Sequence, residues 1–71
     1  MKNDPPEKSE FTEKDLQVIQ LLLEAKSNKQ IALELGVSTR AVEQHLTHIY
    51  EKLGVCSRTE AVIKLVHLFE K

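Results

Sequence analysis

The stretch that most constrains this chain is residues 27–53, SNKQIALELGVSTRAVEQHLTHIYEKL. It reads as a short capped helix, a tight turn at Gly36 and a longer capped helix that stops before Gly54. So short a connection gives two helices no room to lie side by side as an antiparallel hairpin, so they must cross steeply. The expected arrangement is a helix-turn-helix, in which the second helix can enter a DNA major groove.

The remaining helix boundaries are written in caps. Thr12-Glu-Lys-Asp15, Ser27-Asn-Lys-Gln30 and Ser57-Arg-Thr-Glu60 each place a hydroxyl three residues before a carboxylate or amide, the spacing of a capping box. Ser38 supplies a plain N-cap for the third helix. Four caps predict four helices. Their apolar stripes agree: Leu16, Ile19, Leu22 and Leu23, with Val18 at the edge, in the first; Ile31, Ala32 and Leu35 in the second. Val42, Leu46, Ile49 and Leu53 mark the third, with Val55 folding back on its last turn. Ala61, Val62, Leu65, Val66 and Phe69 mark the fourth. No segment alternates like a strand, so the fold class is all-α: a compact four-helix domain with a flexible N-terminal tail.

Size sets the rest. Of 71 residues, 1–10 (MKNDPPEKSE) are polar and carry both prolines, and read as a disordered tail or linker. Residues 11–71 form one domain, small enough that every helix end matters. The longest apolar run is Leu21–Leu23, so no membrane span is expected. A lone cysteine, Cys56, can form no internal disulfide, which suits a reduced, cytoplasmic setting. The net charge of −1 lacks the basic excess usual in a DNA-binding domain. Part of the deficit falls on Asp4, Glu7 and Glu10 in the tail. Glu13, Asp15 and Glu60 lie at helix starts, where a carboxylate answers the helix dipole.

The outward side of the third helix carries Thr39, Arg40, Glu43, Gln44, Thr47, His48 and Glu51. Gln pairs with adenine, Arg with guanine or phosphate, Glu accepts from the cytosine amino group, and Thr offers a hydroxyl and a methyl. Any solvated helix face carries such residues. What favours DNA is the LGVS turn that precedes this one.

At this density the residues match a family. Ser27-Asn28-Lys29, Ile31-Ala32, Leu35, Ser38, Val42, His45, Ile49, Lys52-Leu53-Gly54-Val55, Ser57-Arg58 and Glu60-Ala61 closely resemble the DNA-binding domain of LuxR-type bacterial transcriptional regulators, from Phe11 to about Leu65. The resemblance implies a four-helix domain whose third helix, about residues 39–53, enters the major groove, and whose fourth helps form a dimer on a two-fold site. Carried over by position, Glu43, Gln44 and Thr47 would read bases, and the outward face adds His48. Lys29, Ser38, Lys52 and Arg58 would lie near the backbone or support the motif, and the third helix itself offers Thr39, Arg40 and His45 to the backbone. Three positions depart from the family. Ala25 stands where Gly is common, and would be strained if that backbone is left-handed. Ala41 replaces a Thr that often contacts phosphate, and Glu43 replaces a common Lys.

Competing readings stay open at this point. Arg58 fits an exposed first-turn Arg, a salt link within the domain or a phosphate contact. His45, His48 and distant His67 make no metal site with a single cysteine, so no metal or cofactor is expected. Ile63 falls off the inward stripe of the fourth helix. With Glu60, Lys64 and His67 it could form a weak self-complementary seam. The expected partners are double-stranded DNA and a second copy of the chain, with RNA polymerase as a further candidate. The leading function is sequence-specific DNA binding in transcription regulation. The alternative is a helical protein-interaction and dimerisation module with weak or lost DNA binding, favoured by net acidity, Ala41 and Glu43. A sigma-factor promoter-contacting domain fits the helix-turn-helix but not the SNK and KLGV text. An enzyme has no support, since no nucleophile, base and orienting group share a recognisable spacing. Either an excised C-terminal domain or a stand-alone short regulator fits the length.

Overall fold

A computed structural model describes residues 10–69, so the expected tail lies, Glu10 apart, outside the described residues. Four helices follow one another: α1 (Glu13–Leu23), α2 (Asn28–Leu35), α3 (Thr39–Leu53) and α4 (Arg58–Phe69). α1 packs on all three others, α3 also packs on α2 and α4, and the most extensive pairing is α2 with α3.

The N-termini form as the hydroxyls require. The Thr12 hydroxyl accepts from Asp15 N–H at 3.0 Å and that of Ser27 from Gln30 N–H at 3.2 Å, and both boxes close reciprocally. Ser38 accepts from Ala41 N–H at 3.0 Å. The α4 box is half made. Ser57 accepts from Glu60 N–H, but the Glu60 carboxylate takes the Cys56 N–H at 3.1 Å. The long Glu side chain reaches one residue past the cap and ties down the loop instead.

The C-termini turn through left-handed residues. Gly36 (φ 70°) and Gly54 (φ 73°) follow α2 and α3, where a residue without Cβ adopts this backbone at no steric cost. The third such residue is Ala25, with φ 67°. Its N–H bonds the Leu22 carbonyl at 2.9 Å, and Lys26 N–H bonds that of Leu21 at 3.1 Å. The hydrogen bonding of a Schellman turn is therefore complete, yet an alanine pays the strain.

The core gathers Val18, Ile19 and Leu22 of α1, Ile31 and Ala32 of α2, Val42, Leu46, Ile49 and Leu53 of α3, and Ala61 and Leu65 of α4, closed by Phe11. Each large aliphatic buried here contributes about 1.5–3 kcal/mol. Two expectations need correction. Val18, read as an edge residue, is fully buried, while Leu16 and Leu23 are only partly so, because the α1 face is rotated toward Asp15, Val18, Ile19 and Leu22. Val66, read as inward, is 38% exposed, and Leu68 joins Phe69 as partial cover for the core.

Candidate nucleic-acid interface

Between α2 and α3 lie only Gly36, Val37 and Ser38. Val37 N–H bonds the Ala32 carbonyl at 3.0 Å and the Val37 side chain packs against the core. The turn is thereby fixed at both ends, and the fifteen residues of α3 keep one side outward. Thr39, Arg40, Glu43, Gln44 and Thr47 line an open depression of about 380 Å³ on that side. These five belong to successive turns, so they present a cation, a carboxylate, an amide and two hydroxyls along one strip. Thr47 has committed its proton: its hydroxyl donates to the Glu43 carbonyl at 3.0 Å. What it offers outward is a methyl group and an acceptor.

Residues matched to backbone contact fall into two groups. Lys29 in the first turn of α2, and Ser38, Thr39 and Arg40 at the start of α3, are exposed. Lys52, half-buried, lies in the last turn of α3, about 18 Å along the axis from Arg40 at 1.5 Å per residue. Arg58 is different. Its guanidinium donates to Asn28 Oδ1 at 3.0 Å and to the Lys26 carbonyl, so it fastens α4 to the α1–α2 loop and the start of α2. The salt link expected from sequence is not what forms: the partners within the domain are neutral oxygens rather than a carboxylate.

His45 and His48 also have partners inside the domain, and the sequence reading missed them. Asp15 is 1% exposed. The Nδ1 of His45 stands 3.0 Å from its Oδ1 and the Nδ1 of His48 stands 3.0 Å from its Oδ2, while Thr12 N–H donates to Oδ2 at 3.2 Å. Burial pushes the Asp15 carboxyl up, but the His45 hydrogen bond, those with Thr12 and the neighbouring His48 outweigh it. The group is held below the usual carboxylate range. Among the described residues no cluster of His, Cys, Asp and Glu could hold a metal ion, and no helix is long and apolar enough to cross a membrane.

On α4, Glu60, Ile63, Lys64 and His67 are all exposed, with Ile63 at 54%. The charged ends of two are already used. Glu60 holds the Cys56 N–H, and Lys64 donates to the Leu53 carbonyl at 3.2 Å, closing the end of α3.

A family described as bacterial regulatory proteins, luxR family, matches residues 9–65. The chain belongs to that family. It is thus a helix-turn-helix domain of DNA-binding transcription regulation. Among similar proteins, the chain is 37% identical over 60 residues to the spore germination protein GerE of Bacillus subtilis, covering 84% of this chain and 81% of GerE. It is 48% identical over 54 residues to the transcriptional regulatory protein YdfI of the same organism, covering 76% of this chain and 25% of YdfI. With the HTH-type transcriptional regulator MalT of Yersinia pestis it shares 39% over 62 residues, 87% of this chain and 7% of MalT. The chain therefore spans most of GerE but a quarter or less of the other two.

Proposed function

We propose that this luxR-family domain binds a two-fold DNA site as a dimer, with the outward strip of α3 in the major groove of each half-site. The observation that carries the reading is the strip itself: Arg40, Glu43, Gln44 and Thr47 share one open depression, with none of the described residues packed over them. Gln44 suits adenine, Glu43 suits the amino group of cytosine, and Thr47, its proton committed to Glu43, suits a thymine methyl or an amino group. Lys29, Arg40 and Lys52, with the Ser38 and Thr39 hydroxyls, hold the phosphates on either side.

Self-association is assigned to the α4 face. Ile63 and Val66 are three residues apart and both exposed, and Glu60, Lys64 and His67 surround them. An isologous patch of this size supports a weak contact, formed once two domains share a site.

The division of labour is tested by paired substitutions. Gln44→Ala should relax preference at one base position by about 1–3 kcal/mol, and Lys52→Ala should weaken specific and random DNA alike. Equal losses for both variants on both DNAs would refute the assignment.

A further inference from the structure

An ionised carboxylate has only acceptors, so Asp15 dictates where the imidazole protons sit. Each Nδ1 at 3.0 Å from a carboxylate oxygen must carry the hydrogen. In a neutral ring with Nδ1–H, the other nitrogen is a bare lone pair. Nε2 lies across the ring from Nδ1, and among the described residues neither Nε2 has a partner. Both side chains are partly exposed. Both also sit on the helix that carries the recognition strip, with His48 one turn beyond Gln44 and His45 beside it.

We propose that Asp15 is a positioning residue that fixes His45 and His48 with Nε2 outward, so that uptake of a proton by these rings strengthens DNA binding below neutral pH. This rests on the α3 strip being the DNA-binding face. A neutral ring held in this tautomer shows a phosphate only a lone pair, which repels it. A protonated ring shows it an N–H and a positive charge. Asp15 thereby removes the usual escape, in which a neutral histidine swaps tautomers and donates through Nε2 at any pH. The charge change is large for this protein: two added protons take the formal charge from −1 to +1 (−1 + 2).

The groups around the pair suit the role. From α1 the pair meets Asp15, whose depressed titration keeps it an acceptor throughout the range in which histidine titrates. Along α3, Glu51 and Lys52 follow His48 by one turn with opposite charges. From α4, Lys64 is committed to the Leu53 carbonyl at the far end of α3. The third histidine, His67, is on the α4 face assigned to self-association.

The test is fluorescence anisotropy at constant ionic strength from about pH 8 to about pH 6, with a random-sequence duplex and a duplex selected from a random library. Affinity of the wild type for both should rise about tenfold over this range, a typical coupling between two linked binding events. In the His45→Asn/His48→Asn double variant the amides can still donate to Asp15 but cannot titrate, so most of the gain should vanish while thermal unfolding stays cooperative. Asp15→Asn frees one ring to donate through Nε2 when neutral, so its profile should flatten; a merely structural loss would shift the whole curve instead. Should Asp15→Asn fail to fold, the histidine variants carry the test alone. Binding that is independent of pH, or a gain that survives in the double variant, overturns the inference and leaves the DNA-binding face standing. Absence of binding to either duplex at every pH overturns both.

Discussion

Arg58, the first residue of α4, donates to Asn28 Oδ1 at 3.0 Å across thirty positions of sequence, and its second nitrogen bonds the Lys26 carbonyl. The two bonds join the helix assigned to self-association to the loop that launches the helix-turn-helix. Lys26 itself is paired with Glu34 at 2.9 Å, so the loop is held from both sides. Arg58→Ala should cost about 1.5–3 kcal/mol, the range for hydrogen bonds to a charged group, measured as a lower urea midpoint. The salt slope of DNA binding should be unchanged. A normal midpoint with a shallower salt slope would return Arg58 to the phosphate backbone.

Ala25→Gly should stabilise the domain. A left-handed alanine costs about 1–2 kcal/mol, and the extra freedom of an unfolded glycine offsets about 0.4–1 of it. The expected gain is about 0.5–1 kcal/mol in urea unfolding. A loss would mean that the strain at φ 67° is relieved elsewhere in the turn.

Asp15 should shape the acid stability of the domain. Its carboxyl titrates below the ordinary value when folded. A depressed folded value contributes stability that is fully present above the unfolded Asp pKa of about 3.9 and is lost as pH falls through the folded one. Unfolding followed across this window should show wild-type stability dropping, while Asp15→Asn is less stable at neutral pH by about 2–3 kcal/mol and flatter in acid. Parallel curves for the two proteins would separate Asp15 from the acid transition.

Ile63→Lys should abolish cooperative binding to a two-fold site while leaving monomer stability within about 0.5 kcal/mol, as for other exposed substitutions. Sedimentation in the presence of the site reads the first effect, and urea unfolding the second. Unchanged cooperativity would remove α4 from the dimer.

What could be read from the chain was local. Thr12, Ser27 and Ser38 lie within three residues of the N–H groups they accept from, and Gly36 and Gly54 act on their own backbone, so helix number and order were legible. The outward strip of α3 followed from the spacing of Val42, Leu46, Ile49 and Leu53. What escaped joins separate helices. Asp15 reads as a solvated capping carboxylate, and only the packing of α3 on α1 brings His45 and His48, thirty and thirty-three positions away, to its two oxygens. Val18 and Val66 were misjudged because a short helix with apolar residues on several sides allows more than one inward face. The long side chains of Glu60 and Arg58 each reach past the position that spacing suggests, to Cys56 and to Asn28.

The most direct test of the α3 strip as a DNA-reading surface is an anisotropy titration of the wild-type domain against a selected palindromic duplex and a random duplex, at about 50 and 200 mM salt. The three cations assigned to the phosphates, Lys29, Arg40 and Lys52, should give a slope of log K against log salt of about −2.7 per protomer, with clear preference for the palindrome. Binding to neither duplex at the lower salt, or equal and salt-insensitive binding to both, would contradict it.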